Sequence, residues 1–110
     1  MDNSDFVGEP VRFRRIYVVE PRYNVQLIEK YADSVEFLTN GTDHVSDLRD
    51  MIKRNLTDFD PETDALITMG RAVACLITGL IVREIWPSEK ISFGIYRGDS
   101  YEFMKIDGEP

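Results

Sequence analysis

Hydrophobic residues along the chain fall into runs whose spacing alternates between strand-like and helix-like. The first run ends in the continuous apolar segment Ile16–Val19, which is typical of a strand covered on both faces. The last two runs alternate apolar with polar residues around a short turn, which predicts a terminal hairpin. The predicted strands span residues 11–20, 34–39, 65–69, 91–96 and 101–106.

Three segments with helical spacing separate these strands. Pro21 suits the first turn of a helix, and the apolar stripe after it continues through Ala32. A second helix is expected over about 46–57, with Ser46 as its N-cap. The third segment, Ala72–Trp86, has eleven apolar residues among fifteen. Its polar stripe is too narrow for a half-exposed helix, so we expect this helix to be buried on most sides.

The order βαβαβαββ predicts a single α/β domain over residues 11–106. Its sheet would be small and mainly parallel, with helices on both faces and a C-terminal β-hairpin, similar to half of a flavodoxin-like sheet. Residues 1–10 and 107–110 are predicted to be polar tails. A length of 110 residues with 43% hydrophobic content suits one domain with its own core.

Charge and cysteine content narrow the functional classes. The chain has 20 acidic and 13 basic residues, and its net charge of −7 disfavours binding to nucleic acid or to anionic membranes. The single cysteine, Cys75, cannot form an internal disulfide. The N-terminal residues are acidic and polar, unlike a signal peptide, and no apolar segment is long enough to span a bilayer. We therefore expect a cytoplasmic protein.

The junction between the third strand and the third helix is a candidate anion site. Gly70 and Arg71 lie where free backbone amides and the helix dipole favour an anion. Because the carboxyl ends of parallel strands meet at one edge, Arg22, Asn40 and Thr42 are expected there as well. The ligand would be a nucleotide or a phosphate group. The alternative is a structural turn glycine with a solvated arginine, since no complete phosphate-loop or dinucleotide motif is present.

Small residues on the apolar helix are a candidate oligomer interface. Ala72, Cys75, Gly79 and Arg83 follow one another at steps of three and four, and Trp86 lies at the end of this strip. Small side chains let another backbone approach closely, so the helix is expected to pair with its copy in a homo-oligomer. Close packing of the strip on the chain's own sheet is the alternative.

Catalytic and metal-binding patterns are weak. His44 is the only histidine, beside Asp43 in a predicted loop, where it is either an acid–base group or simply solvated. Cys75 lies mid-helix and is interpreted as a core residue. One cysteine and one histidine cannot form a zinc site of the common kind. We expect neither a cofactor nor an enzymatic activity.

Two charged segments have alternative interpretations. The loop before the third strand has acidic residues spaced by two, namely Asp58, Asp60, Glu62 and Asp64. This spacing is like the start of a calcium loop, but the turn glycine and the closing glutamate are absent, so a solvated connection is expected. Arg12, Arg14 and Arg15 form a basic patch, either a site for an acidic partner or a charge-balanced strand end.

The second half of the chain, Asp58 to Ile106, combines an acidic Asp-Pro-Glu segment, a short strand ending in Gly70, an apolar helix and a hairpin with aromatic residues such as Tyr101. In these features it resembles small acidic accessory proteins of bacteriophages. The resemblance implies binding and blocking of a host component, or sequestration of a small signal, in the host cytoplasm. It carries over no functional residue, because no defined family motif is matched.

Two functions of different classes are therefore predicted. The first is a non-enzymatic binding module that inhibits a host protein through a protein–protein interface and is itself oligomeric. The second is a nucleotide or phosphate-ligand binding protein that uses the turn at Gly70 and Arg71.

Overall fold

The computed structural model describes residues 12–22 and 25–108 of the chain. The predicted N-terminal tail, residues 1–10, lies outside the described residues, as do the last two residues of the predicted C-terminal tail. The elements in chain order are β1 (Phe13–Val18), α1 (Val25–Ile28), β2 (Ala32–Phe37), α2 (Val45–Asn55), β3 (Asp64–Ile67), α3 (Ala72–Ile85), β4 (Ile91–Tyr96) and β5 (Tyr101–Ile106).

The described strands form one sheet in the order β2-β1-β3-β4-β5. Neighbouring strands are parallel from β2 to β4, and β5 is antiparallel to β4. This is the strand order of flavodoxin-like sheets with the fifth strand reversed. The predicted mixed α/β class, with a mainly parallel sheet and a terminal hairpin, is confirmed. Because β2 lies on one side of β1 and β3 on the other, the order in which strands are added to the sheet reverses between β1 and β3.

Two cores lie on opposite faces of the sheet. Tyr17 and Val19 belong to the core that α2 and α3 cover, whereas Ile16 and Val18 belong to the core beneath α1. Burial on both faces explains why this segment is apolar at every position, as the sequence pattern predicted.

The first helix ends earlier than its apolar stripe predicted. It stops at Ile28, and Ala32 already opens β2. The reason is that the backbone of Tyr31 pairs with β1, where the Phe13 N–H donates a hydrogen bond of 2.7 Å to the Tyr31 carbonyl. The ring of Tyr31 packs against the aromatic side chains of β5, with ring centroids 5.2 and 6.0 Å apart. Aromatic packing thus covers sheet area that a longer helix would have covered.

The second helix is capped by a different residue from the one predicted. The helix begins at Val45, and His44 rather than Ser46 is its N-cap. The imidazole Nδ1 of His44 accepts a hydrogen bond of 3.2 Å from the Ser46 N–H and lies 2.8 Å from the Ser46 hydroxyl oxygen. A ring nitrogen therefore does here what a serine oxygen usually does.

The apolar helix α3 has nearly the predicted length. The prediction that it is buried on most sides is wrong, because within a single chain one side of the helix is exposed. Its buried residues are Ala74, Thr78, Ile81 and Val82, on the side that faces the sheet and α2. Leu76 and Leu80 are mostly exposed, because among the described elements α2 packs beside α3 and no element covers the side that carries these two leucines. Among the residues described, no helix is both long and apolar enough to cross a bilayer.

Candidate functional site

Ligands of open α/β sheets bind beyond the carboxyl ends of the strands, at the point where the strand order reverses. At this point Glu20 follows β1 and Arg71 follows β3, and the Glu20 side chain is fully buried. The Arg71 guanidinium donates from Nη2 and Nε to Glu20 Oε2 at 2.6 and 2.8 Å. The backbone N–H of Arg71 donates to Oε1 at 2.7 Å. One carboxylate therefore binds both the guanidinium and the backbone amide at the start of α3.

These hydrogen bonds keep Glu20 ionised. Burial by itself would raise the pKa of the Glu20 carboxyl. Hydrogen bonds from the side chain and the backbone of Arg71 outweigh burial, so the pKa of Glu20 lies below its ordinary value. At neutral pH this site holds an internal anion, at the position that was predicted to attract an external one.

Gly70 is required at this edge by its backbone and by its neighbour. Its φ of +117° lies in a region that residues with a Cβ rarely adopt. A Cβ added to Gly70 would lie 2.5 Å from the Glu20 Cβ and 2.6 Å from its Oε1. The glycine predicted to belong to an anion site makes room for the side chain of Glu20.

The structure brings part of the predicted anion site together. The Arg71 Nη1 donates to the Asp43 carbonyl at 2.9 Å, which ties the loop after β2 to the start of α3. Within that loop, the N–H and hydroxyl of Thr42 donate to the Asn40 side-chain oxygen, both at 2.9 Å. Arg22 lies exposed after β1. The polar groups of Asn40 and Thr42 thus bond within their own loop.

A second buried carboxylate lies at the opposite edge of the same two strands. Asp64, the first residue of β3, is fully buried, and Arg14 Nε and Nη2 donate to its two oxygens at 3.0 and 2.7 Å. The Asp60 N–H and the Thr63 hydroxyl donate to it as well. Burial would raise the pKa of Asp64, but these hydrogen bonds hold it below its ordinary value.

The predicted solvated connection is therefore wrong at Asp64, because the carboxylate bonds both the loop before β3 and the adjacent strand β1. The predicted charge-balanced strand end is confirmed for the arginines of β1 and its flank. The remaining pairs are Arg12 with Asp33 and Arg15 with Asp58.

Sequence reasoning missed Glu20. The available signal was its place directly after the apolar run Ile16–Val19, since a carboxylate that ends a doubly covered strand requires an internal partner. The partner, Arg71, is 51 residues away, and no local pattern connects the two.

The residues considered for catalysis are used structurally. His44 caps α2. Burial, and secondarily the charge of Glu20, raises the pKa of the Cys75 thiol, so it is protonated at neutral pH and is a poor nucleophile. Burial also raises the pKa of Tyr101 to about 12. Within residues 12–22 and 25–108, no group of three or more His, Cys, Asp or Glu side chains is placed to hold a metal ion.

Apolar side chains are exposed both on the outer side of α3 and on β5, the outer strand of the hairpin. Leu76 and Leu80 are 64% and 62% exposed, and Val73, Met104 and Ile106 are exposed as well. We call these five residues the apolar surface. Between α3 and the hairpin lies a groove of about 200 Å³, whose lining includes Leu66, Cys75, Gly79, Val82, Phe93 and Ile106.

The predicted oligomer strip is divided among different roles. Cys75 and Gly79 line this groove, and Ala72 is exposed at the start of α3. Arg83 donates four hydrogen bonds of 2.8–3.0 Å to carbonyls that follow α3 and end β5, which holds the helix to the hairpin. Trp86 packs against Phe59, with ring centroids 5.1 Å apart.

Comparison with known proteins gives no match among family models, curated proteins or solved structures. The resemblance to bacteriophage accessory proteins therefore stays a prediction.

Proposed function

We propose that this protein is a non-enzymatic binding module that contacts another protein through the apolar surface. The observation that carries the proposal is the exposure of Leu76 and Leu80 on α3, beside an apolar groove. Removing apolar area from water is favourable by about 25 cal/mol per Å². Contiguous exposed apolar side chains are accordingly typical of protein interaction sites.

The distribution of charge supports the same surface. Charged residues make up 30% of the chain, yet residues 72–82 of α3 include none. The two charged residues that follow this run are bonded within the chain: Glu84 pairs with Arg49, and Arg83 donates to backbone carbonyls. A partner can therefore cover this side of α3 while Arg83 and Glu84 keep their hydrogen bonds.

The alternative function, binding of a nucleotide or phosphate at Gly70 and Arg71, has weaker support. A ligand there would have to displace the carboxylate of Glu20 from the guanidinium and backbone amide of Arg71. A thermal-shift screen with mononucleotides and inorganic phosphate tests this alternative. Inhibition of a host protein, which the bacteriophage resemblance implies, is one form that binding through the apolar surface could take, and it stays a prediction.

Site-specific photo-crosslinking tests the proposed surface. A photoreactive benzoylphenylalanine replaces Leu76 in one version of the full chain, and Val45 in a matched control. Val45 is also an exposed apolar residue, but it begins α2 and lies outside the apolar surface. On irradiation in cells of the organism that encodes the protein, we expect covalent adducts with a protein from position 76 and few from position 45. Equal or absent labelling at position 76 contradicts the proposal.

A further inference from the structure

We propose that the partner of the apolar surface is a second copy of this chain, with Leu76 and Leu80 of each copy entering the groove of the other. This inference rests on the proposed function, since it names the partner of that same surface. Its basis is the relative position of the exposed leucines and the groove.

The projecting and receiving parts lie side by side on α3. Cys75, Gly79 and Val82 line the groove on the hairpin side of the helix. Leu76 and Leu80 follow about 100° further around the helix, given 3.6 residues per turn. A symmetric dimer needs a surface that is complementary to itself. A twofold axis between the leucines and the groove meets this need, because it places each copy's leucines over the other copy's groove.

The groove has room for these side chains. Its volume is about 200 Å³, and a cavity of roughly 150 Å³ already accepts a benzene molecule. At Gly79, a Cβ would meet no atom within 4 Å. Glycine weakens a helix interior by about 1 kcal/mol relative to alanine, and at this position it leaves space that no described part of the chain fills.

The size of the surface predicts a weak dimer. The 14 residues of α3 extend about 21 Å, and each six-residue strand of the hairpin extends about 20 Å. Stable interfaces usually bury about 800 Å² on each partner. A surface about 20 Å on a side covers about 400 Å², roughly half of that area, which is typical of weak, transient complexes. We therefore expect monomer and dimer to exchange, with the dimer forming only in concentrated solution.

Charge makes the expected dimer distinctive. Each copy carries a net charge of −7, so two copies repel at long range. Within the contact, residues 72–82 carry no charge, and Arg83, which also lines the groove, has its guanidinium bonded to four backbone carbonyls of its own chain. Added salt screens the long-range repulsion and leaves the apolar contact intact. Dimerisation is therefore expected to strengthen with salt, whereas attraction to an oppositely charged partner would weaken.

Sedimentation equilibrium of the full chain tests the dimer, from about 1 μM to about 1 mM and at low and high salt. We expect the apparent mass to rise from 12.7 kDa towards twice that value, and to rise at lower concentration when salt is added. Leu80→Gln removes a projecting side chain, and Gly79→Met fills the groove. Each should weaken the dimer at least about tenfold, whereas the control Val45→Gln should not.

Both variants should fold, since Leu80 is exposed and the space above Gly79 is open. The alkylation rate of Cys75, which lines the groove, gives a second readout. It should slow as wild-type protein is concentrated and stay constant for Leu80→Gln.

A monomeric mass at every concentration and salt overturns the dimer, and a Gly79→Met variant that dimerises like wild type overturns the use of the groove. The proposed function is judged separately. If the chain is monomeric but position 76 crosslinks to a different protein, the inference fails and the proposed function stands. If position 76 crosslinks to nothing, both fail.

Discussion

The carboxyl edge of the sheet and the apolar surface differ in how far the rest of the chain bonds or covers their side chains. At the edge, the carboxylate of Glu20 bonds the guanidinium and the backbone amide that the sequence marked as an anion site. On the apolar surface, Leu76 and Leu80 lie in solvent beside a groove that the described chain leaves open. The position where this fold type favours a ligand is filled internally, and the uncovered area lies on a helix face that topology does not single out.

The carboxyl edge holds one of two ion pairs that join the central strands β1 and β3. The β1 segment supplies Arg14 and Glu20, and the β3 segment supplies their partners Asp64 and Arg71. One ion pair thus joins the two strands at each end. Because burying charges has a large desolvation cost, we interpret these pairs as fixing the register of β1 against β3 more than as adding net stability.

The largest expected effect follows from removing the cation at the filled edge. Arg71→Leu leaves the Glu20 carboxylate buried without its partner, which should lower the free energy of unfolding by about 3–5 kcal/mol. Arg14→Leu is the matched variant at the opposite edge, and its loss should be smaller because Arg14 is 44% exposed, against 26% for Arg71. Urea unfolding measures both. A loss for Arg71→Leu no greater than that for Arg14→Leu contradicts the difference between the two edges.

A smaller loss is expected from Gly70→Ala. The new methyl group meets both an unfavourable φ and the side chain of Glu20, so we expect a loss of about 2–3 kcal/mol. Gly41→Ala is the control, since Gly41 also has a positive φ, +90°, but a Cβ there would meet no atom within 4 Å. Its loss should be about 1–2 kcal/mol. Thermal unfolding of the two variants separates backbone strain from contact with Glu20.

Acidification should produce a graded loss of stability. The pKa values of Glu20 and Asp64 are lowered on folding, so their contribution is complete above the ordinary values of 4.5 and 3.8 and is lost as pH falls through the folded pKa values. In Arg71→Leu, burial without a cation should raise the pKa of Glu20. That variant should gain stability between about pH 7 and pH 5, a range in which these two carboxylates leave the wild type unchanged. Unfolding free energies measured at constant ionic strength should rise on acidification across this range for the variant and show no change from these two carboxylates in the wild type.

The smallest effect on stability is expected at the apolar surface. Leu80→Gln changes a side chain that is already exposed, so the free energy of unfolding of the monomer should change by no more than about 0.5 kcal/mol. Ile81→Ala, one residue further along α3 but fully buried, should lower it by about 2–5 kcal/mol. Chemical denaturation of dilute protein makes the comparison. A large loss for Leu80→Gln in the monomer indicates that Leu80 is covered within the chain.

Local patterns predicted the elements best where they were strongest. The hairpin strands at 91–96 and 101–106 have the predicted bounds, because alternation and an intervening turn determine both ends. The predicted end of α1 was wrong. Tyr31 continues the helical spacing of apolar residues, but its backbone pairs with β1. Likewise, the spacing of the acidic loop did not show that Asp64 is buried, since its partner Arg14 is 50 residues away.

The sequence by itself determined the α/β class, the bounds of α3 to within one residue and the absence of charge from residues 72–82. Only the tertiary structure decided which side of α3 is covered, since periodicity identifies apolar residues but not the elements available to pack on them. It also decided that Gly70 and Arg71 bind the chain's own Glu20. That pairing depends on two segments meeting at one sheet edge, which is a property of strand order and not of either segment alone.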